Sequence, residues 1–379
     1  TSLWTVFGAQ ARKPARPSKN IIRFMRDFFE GLKVVELASV LAGPAAGTFF
    51  AELGAEVIKV ENKRTQGDVT RGWRVAEEPA DSTSAYYASV NYGKKVIIAD
   101  LTDDSHSKKV QELVKNADII ISNYLPRVAK KFKLDYDSIK SQNANVIFLD
   151  LKGYENEERA AYDVVLQAET GWISMTGTDP DHPAKLPVAL IDILAGHQLK
   201  EAALLALLHR EQTGEGSYSV CSLEASSLSA LANQASNYLM AGKVAEPIGT
   251  AHPNIAPYGD WFVTKDGIRF VLAAGSEKHF TQLAEVLNLS ELTFDERFKT
   301  NSVRVQNRPT LNGILKNAIE QFEFADLSRK MNGAAIPFGQ IKKLDAVLDG
   351  ETAREMIRKE SQEGVETIRL SGIAFKSSF

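Results

Sequence analysis

Leu32-Lys-Val-Val-Glu-Leu37, then Ala38-Ser-Val-Leu-Ala-Gly-Pro44, then Leu53-Gly-Ala-Glu-Val-Ile-Lys-Val60 decide the fold. The outer stretches, Leu32 to Leu37 and Ala55 to Val60, are short and apolar-rich, as strands are. Between them a turn of small residues leads into a helix predicted over Ala45 to Leu53, and Gly54 stands where a helix-ending glycine belongs. Strand, turn, helix, strand is a βαβ unit, which is right-handed and parallel by the rule for such crossovers. The alternation continues. Strand patterns recur at Lys94–Asp100, Ala117–Ser122 and Asn145–Asp150, with helical patterns at Ser107–Asn116 and Val128–Leu134. Residues 32–150 therefore predict a doubly wound, Rossmann-like α/β sheet. Ligands of such sheets sit beyond the carboxyl ends of the strands. The polar residues just after strands are thus the candidates: Ser39 to Leu41, Asn62 to Arg64, and Asn123 with Tyr124. The 38–44 turn is not a GxGxxG fingerprint, so it does not by itself specify a dinucleotide.

Further along, helices are predicted at Ala160–Ser174, Leu194–Arg210 and Leu223–Met240. The texture changes near Gly242. Gly249-Thr-Ala-His-Pro-Asn-Ile-Ala-Pro-Tyr-Gly259 reads as an ordered loop, and Lys265-Asp-Gly267 joins two strand patterns as a hairpin. Helices follow at Glu277–Leu287 and Asn307–Phe322. The expected organisation is a flexible basic extension (1–20), a large α/β domain (21–241), a small α/β domain (242–325) and a return to the large domain (326–379).

Composition is that of an ordinary globular protein, 44% hydrophobic and 25% charged. A formal charge of -3 argues against nucleic acid as the main partner. No apolar run approaches a membrane span, so no membrane partner is expected. The single cysteine, Cys221, supports neither a disulfide framework nor a thiolate metal site, so no metal is expected and a reducing compartment fits. The first 26 residues hold Arg12, Lys13, Arg16, Lys19, Arg23 and Arg26 and no acid. They read as a vector-derived extension, a trimmed transit peptide or a basic arm. The expected location is cytoplasmic, or the mitochondrial matrix if the segment is a transit remnant.

One acidic residue stands out. In Pro187-Val-Ala-Leu-Ile-Asp192-Ile-Leu-Ala-Gly-His197, a carboxylate with apolar flanks falls at or next to a helix start. An isolated Asp there is ordinarily a cap. The helix dipole also keeps such a carboxylate ionised, as a nucleophile requires.

Five stretches carry a family resemblance: Leu37-Ala-Ser-Val-Leu-Ala-Gly-Pro44, Leu53-Gly-Ala-Glu-Val-Ile-Lys-Val-Glu61, Gly67-Asp-Val-Thr-Arg-Gly-Trp73, Leu208-His-Arg-Glu-Gln-Thr-Gly214 and Thr250-Ala-His-Pro-Asn-Ile-Ala-Pro-Tyr258. In this order they resemble the class III CoA-transferases, which include formyl-CoA:oxalate, carnitine and succinate–hydroxymethylglutarate types and are related to the α-methylacyl-CoA racemases. The resemblance implies an interlocked homodimer with coenzyme A as a substrate, an acyl-CoA and a small carboxylic acid as partners, and no permanently bound cofactor. It implies that Asp192 attacks the thioester, forming an aspartyl anhydride and then an aspartyl-CoA thioester. It places Ser39, Val40 and Leu41 beside the thioester. It implies that Asn62, Lys63, Arg64, Asn123, Tyr124 and Lys131 line the CoA site. Leu41 stands where formyl-CoA transferase has Gln, which puts oxalate in doubt as acceptor. Tyr162-Asp163 stands where racemases have His-Asp. A racemase needs a group that exchanges protons near neutral pH, which Tyr does poorly, so racemisation is the alternative and transfer the expectation. A non-catalytic CoA-binding protein is the other alternative. The segment 249–252 and Lys299-Thr-Asn-Ser-Val-Arg304 lean toward the dicarboxylate-using branch.

Overall fold

Six parallel strands form one sheet in the order β3-β2-β1-β4-β5-β6. They are β1 (Lys33–Leu37), β2 (Glu56–Asn62), β3 (Lys95–Ala99), β4 (Ile119–Ser122), β5 (Ile147–Lys152) and β6 (Ser217–Ser222). The structure is a computed structural model, described here for residues 27–80, 82–362 and 365–377. The predicted basic extension lies outside these residues. The central strands are nearly continuous apolar runs, as strands covered on both faces must be. Every residue of β4 is buried, and so is every residue of β1 after Lys33. The order reverses between β1 and β4, which is the doubly wound arrangement predicted from the alternation.

Differences from the predicted elements have local causes. Helix α1 (Ala42–Glu52) begins three residues early, with Pro44 in its first turn, where a missing N–H is no loss. The helix α2 (Asp104–Lys115) is N-capped by Asp103. The helix α3 (Leu190–Thr213) starts at Leu190, so Asp192 lies inside its first turn. The helix predicted over 223–240 is broken into Leu223–Ser229 and Ala232–Ala241, with Ala232 at φ 45. The one predicted over 160–174 shrinks to Asp163–Glu169 and a short 3-10 turn. Strand β6 escaped sequence reading because it is an edge strand of small polar and apolar residues, half-buried or exposed except at Ser222. Cys221 sits on it half-buried, and burial followed by the nearby Glu155 and Asp150 pushes its thiol up to about 11.

The chain divides into two compact units. Among the described residues, one comprises those up to Ala160, Ile191–Ser226 and those from Met356 on; the other comprises Ala161–Leu190 and Ser227–Glu355. The parallel sheet belongs to the first unit. A C-terminal hairpin completes it, β10 (Ile357–Gln362) with β11 (Val365–Leu370). There the buried Arg369 pairs with the buried Glu52 and lies 3.9 Å over the Tyr92 ring, and the Ser371 hydroxyl donates to Glu52 at 2.8 Å.

The second unit has its own antiparallel sheet, β7 (Tyr258–Val263), β8 (Arg269–Ala273) and β9 (Phe338–Gln340). The predicted Asp-Gly turn joins β7 and β8, with Gly267 at φ 79. Phe270, Phe280, Phe298, Leu311, Leu315 and Met331 form its core. The small domain predicted at 242–325 lies within this unit. The unit also takes residues 161–190, and β9 keeps the chain in it as far as Glu355, where a return had been expected from 326. Three residues of β9 are too few to give a strand signal.

Candidate active site

In sheets of this kind ligands sit where the strand order reverses, here at the carboxyl ends of β1 and β4. The two turns there are laced together. The Ser39 N–H donates to Asn123 Oδ1 at 3.3 Å, Asn123 Nδ2 donates to the Ser39 carbonyl at 3.2 Å, and the Asn123 N–H reaches the Leu37 carbonyl at 3.4 Å. One side-chain amide thus satisfies both backbone groups of Ser39. Val40 is at φ 74, an outlier for a β-branched residue. Its N–H donates to both oxygens of Asp68, at 3.2 and 3.4 Å. Strain of this kind persists only where the surroundings over-determine the backbone.

The surroundings are a set of buried charges. Glu36, Lys59, Asp68 and Lys94 are each no more than 4% exposed. Lys59 Nζ contacts Glu36 Oε1 at 2.8 Å, the Ala38 carbonyl at 2.8 Å and Asp68 Oδ2 at 3.0 Å, so its three protons have three acceptors. Lys94 Nζ reaches Glu36 Oε2 at 2.7 Å and the Pro44 and Val90 carbonyls at 2.8 Å. Burial opposes the charge on Lys59, but Glu36 and Asp68 overcome it, and its pKa lies above the ordinary lysine value. At Lys94 burial prevails and the pKa falls to about 8. Burial also opposes ionisation of Asp68, yet Lys59 and the Thr70 hydrogen bonds hold its carboxyl below the usual range. Close packing requires glycine at 47, where a Cβ would stand 2.0 Å from Glu36 Oε2.

A second bracket holds the stretch carrying Asp68. Arg71 grips Glu61 at 2.7 and 3.0 Å, Tyr87 donates to Glu61 at 2.7 Å, and the Asp68 N–H donates to it at 3.0 Å. Burial opposes ionisation of Glu61, and the Arg71 and Tyr87 hydrogen bonds keep its pKa low.

Helix α3 brings Asp192 to the same place. Asp192 is 6% exposed. Gly196 follows one turn later on the same helix face. A Cβ there would lie 3.0 Å from the Ala42 carbonyl and 3.4 Å from Ala45 Cβ. The face of α3 that bears Asp192 is therefore packed on the start of α1, directly after the Ser39–Leu41 turn.

The remaining predicted residues sit as follows. Ser39, Val40, Leu41, Asn123 and Tyr124 are half-buried in the turns after β1 and β4, and burial raises the Tyr124 pKa. Asn62 caps a 3-10 turn by accepting from the Arg64 N–H at 2.9 Å, and exposed Lys63 and Arg64 lie in that turn. Lys131 is exposed in the last turn of the Pro126–Lys131 helix, over the Phe132 ring. Tyr162 and Asp163 belong to the second unit. Tyr162 is 49% exposed, and Asp163 accepts from Gln167 at 2.6 Å. Sequence reading gave no role to Glu36, Lys59, Asp68 or Lys94. For Glu36 and Lys59 the available signal was a charge flanked by apolar residues in mid-strand; Asp68 and Lys94 lie outside the strands.

In the second unit the predicted ordered loop is held by two arginines. Arg304, 2% exposed, donates to the Ala256 and Phe298 carbonyls and forks onto Glu277, while Arg308 bonds Asp260 and the Ile255 carbonyl at 2.8 Å. Among the described residues no group of three or more His, Cys, Asp or Glu is placed to hold a metal, and no helix is long and apolar enough to cross a membrane.

Known proteins share both sequence and fold with this chain. It is 36% identical to the succinate–glutarate CoA-transferase of Agrobacterium fabrum, over 83% of this chain and 80% of that one. It is 35% identical to the succinyl-CoA:glutarate CoA-transferase of Homo sapiens, over 84% and 72%. The crystal structure of a CAIB/BAIF family protein from Brucella suis matches with a TM-score of 0.77 at 36% identity, covering 92% of each chain. The pattern described as CoA-transferase family III matches residues 29–379. The chain therefore belongs to CoA-transferase family III and is an acyl-CoA:carboxylate CoA-transferase.

Proposed function

We propose that this transferase moves CoA between succinate and glutarate, with Asp192 as the covalent carrier. The observation that carries the reading is a buried carboxylate in the first turn of α3, on the face packed against the start of α1 at the sheet's switch point. The names of the relatives in Agrobacterium fabrum and Homo sapiens support the pair of dicarboxylates. A carboxylate oxygen of Asp192 attacks the thioester carbonyl, the C–S bond breaks, and an acyl-aspartyl anhydride forms as CoA thiolate leaves. The thiolate attacks the aspartyl carbonyl and expels the donor carboxylate, giving an aspartyl-CoA thioester. The acceptor carboxylate repeats both steps in reverse, which regenerates the Asp192 carboxylate. No net proton is consumed, so a nearby base is not needed. Covalent relay divides one hard exchange into easier substitutions.

CoA is a substrate in this scheme, not a resident cofactor. Asn123 and Tyr124 line its reactive end, and Lys63, Arg64 and Lys131 offer exposed cations for its phosphates. A homodimer belongs to the same proposal.

The test is transfer from succinyl-CoA to glutarate, followed by mass spectrometry. Wild type should form glutaryl-CoA, and Asp192→Ala should lose at least about a thousandfold in kcat, the scale at which a covalent nucleophile acts. With donor alone, hydroxylamine should modify Asp192 in the peptide Leu186–Lys200. Turnover with an unmodified peptide would mean direct exchange, and the reading would be wrong.

A further inference from the structure

We infer that Asp68 is a positioning residue for the transfer: its carboxylate holds the Val40 peptide in the left-handed conformation that sets the turn beside the nucleophile's helix. This rests on the Asp192 reading above. Asp68 is 4% exposed and makes all its bonds inward, so it does not act on substrate directly. Its partners are donors. Oδ1 accepts from the Thr70 N–H at 3.0 Å and the Thr70 hydroxyl at 2.8 Å, Oδ2 meets Lys59 at 3.0 Å, and both oxygens share the Val40 N–H. Lys59 in turn holds the Ala38 carbonyl. One buried ion pair thus clamps the turn at both ends, at Ala38 and at Val40.

The clamp has something to oppose. A β-branched residue avoids φ 74, and the turn would relax toward negative φ without a restraint. Such relaxation would reorient the chain between β1 and α1. It would shift Leu41 and the first N–H groups of α1 against the face of α3 that carries Asp192. An amide at 68 cannot replace the carboxylate. Whichever way it turns, its NH2 faces an obligate donor, either the Thr70 N–H or Lys59 with the Val40 N–H.

The experiment compares kcat and KM for succinyl-CoA and glutarate in wild type, Asp68→Asn, Thr70→Val and the double variant Asp68→Asn/Val40→Gly. Asp68→Asn should lower kcat about 30-fold with KM changed less than about threefold, the signature of misplacement rather than lost binding. Glycine accepts positive φ without strain, so the double variant should recover at least about fivefold of the lost kcat. Thr70→Val keeps every charge but loosens Asp68, and should lower kcat about three- to fivefold at unchanged KM. A merely structural role would lower stability and leave no rescue by glycine at 40. An unchanged kcat in Asp68→Asn, or a double variant no better than the single one, overturns the inference. If Asp68→Asn does not fold, the Thr70→Val kcat decides, and a wild-type value overturns it. Asp192→Ala run alongside keeps the claims apart, since activity surviving there sinks the nucleophile assignment and leaves the Asp68 comparison readable.

Discussion

A carboxylate ringed by donors is a pH-dependent fastening. Asp68 has a folded pKa below its ordinary value, so protons bind it more readily in the unfolded chain. Its stabilising contribution is complete above the unfolded carboxyl pKa of about 4 and is lost as pH falls through the lower folded value. Urea denaturation of wild type and Asp68→Asn should show a stability gap that is constant from about pH 5 to 7 and narrows below about pH 4. A gap that stays constant or widens in acid would contradict the assignment of charge to Asp68. At this scale the positions of Asp192 and Asn123 were legible, because one stood at a helix start with apolar flanks and the other directly after a strand. Glu36 and Lys59 were not. A lone charge in a strand reads equally as a solvent-facing position. Only the parallel register, which sets Glu36 opposite Lys59, makes them a pair.

Among the elements, α3 owes its placement to a missing side chain. Glycine inside a helix ordinarily costs about 1 kcal/mol relative to alanine. At 196 that cost permits contact with the Ala42 carbonyl and Ala45. Gly196→Ala should therefore change stability by less than about 1 kcal/mol, as better propensity offsets crowding. Its kcat should fall about three- to tenfold, because the added Cβ, 3.0 Å from the Ala42 carbonyl, pushes the Asp192 face and the start of α1 apart by a few tenths of an ångström. Kinetics and the urea midpoint check both halves. A variant as active as wild type would show that this contact does not set the geometry. The alternation of strand and helix was legible from residue 32 to 150 because buried parallel strands are nearly continuous apolar runs. The edge strand β6 and the three-residue β9 were not, since neither buries enough of itself to leave a pattern.

For the whole molecule, exposed leucines point to assembly. Leu204, Leu205 and Leu208 on α3 are 43%, 69% and 55% exposed, and Leu239 and Met240 in the second unit are 79% and 89% exposed. Apolar surface of this kind is what the proposed homodimer would cover. Light scattering should give twice the 41.6 kDa chain mass. Leu205→Lys with Leu208→Lys should shift the protein toward the monomer, and a wild-type monomer would refute the dimer. Two units were expected from sequence length and the change in texture at Gly242. A return of the chain to the first unit was expected as well, but the excursion through 161–190 was not, because no local signal distinguishes a crossing between units from an ordinary loop. That interleaving also governs how the chain comes into being on the ribosome. Glu52 is buried in the sheet unit, yet Ser371, which binds it, follows 319 residues later, and Arg369 neutralises it from the same hairpin. Helix α1 is among the first parts synthesised, and its last residue is among the last to gain its partners. Throughout translation of the second unit, Glu52 has neither the Arg369 guanidinium nor the Ser371 hydroxyl. The order of synthesis is not the order of completion.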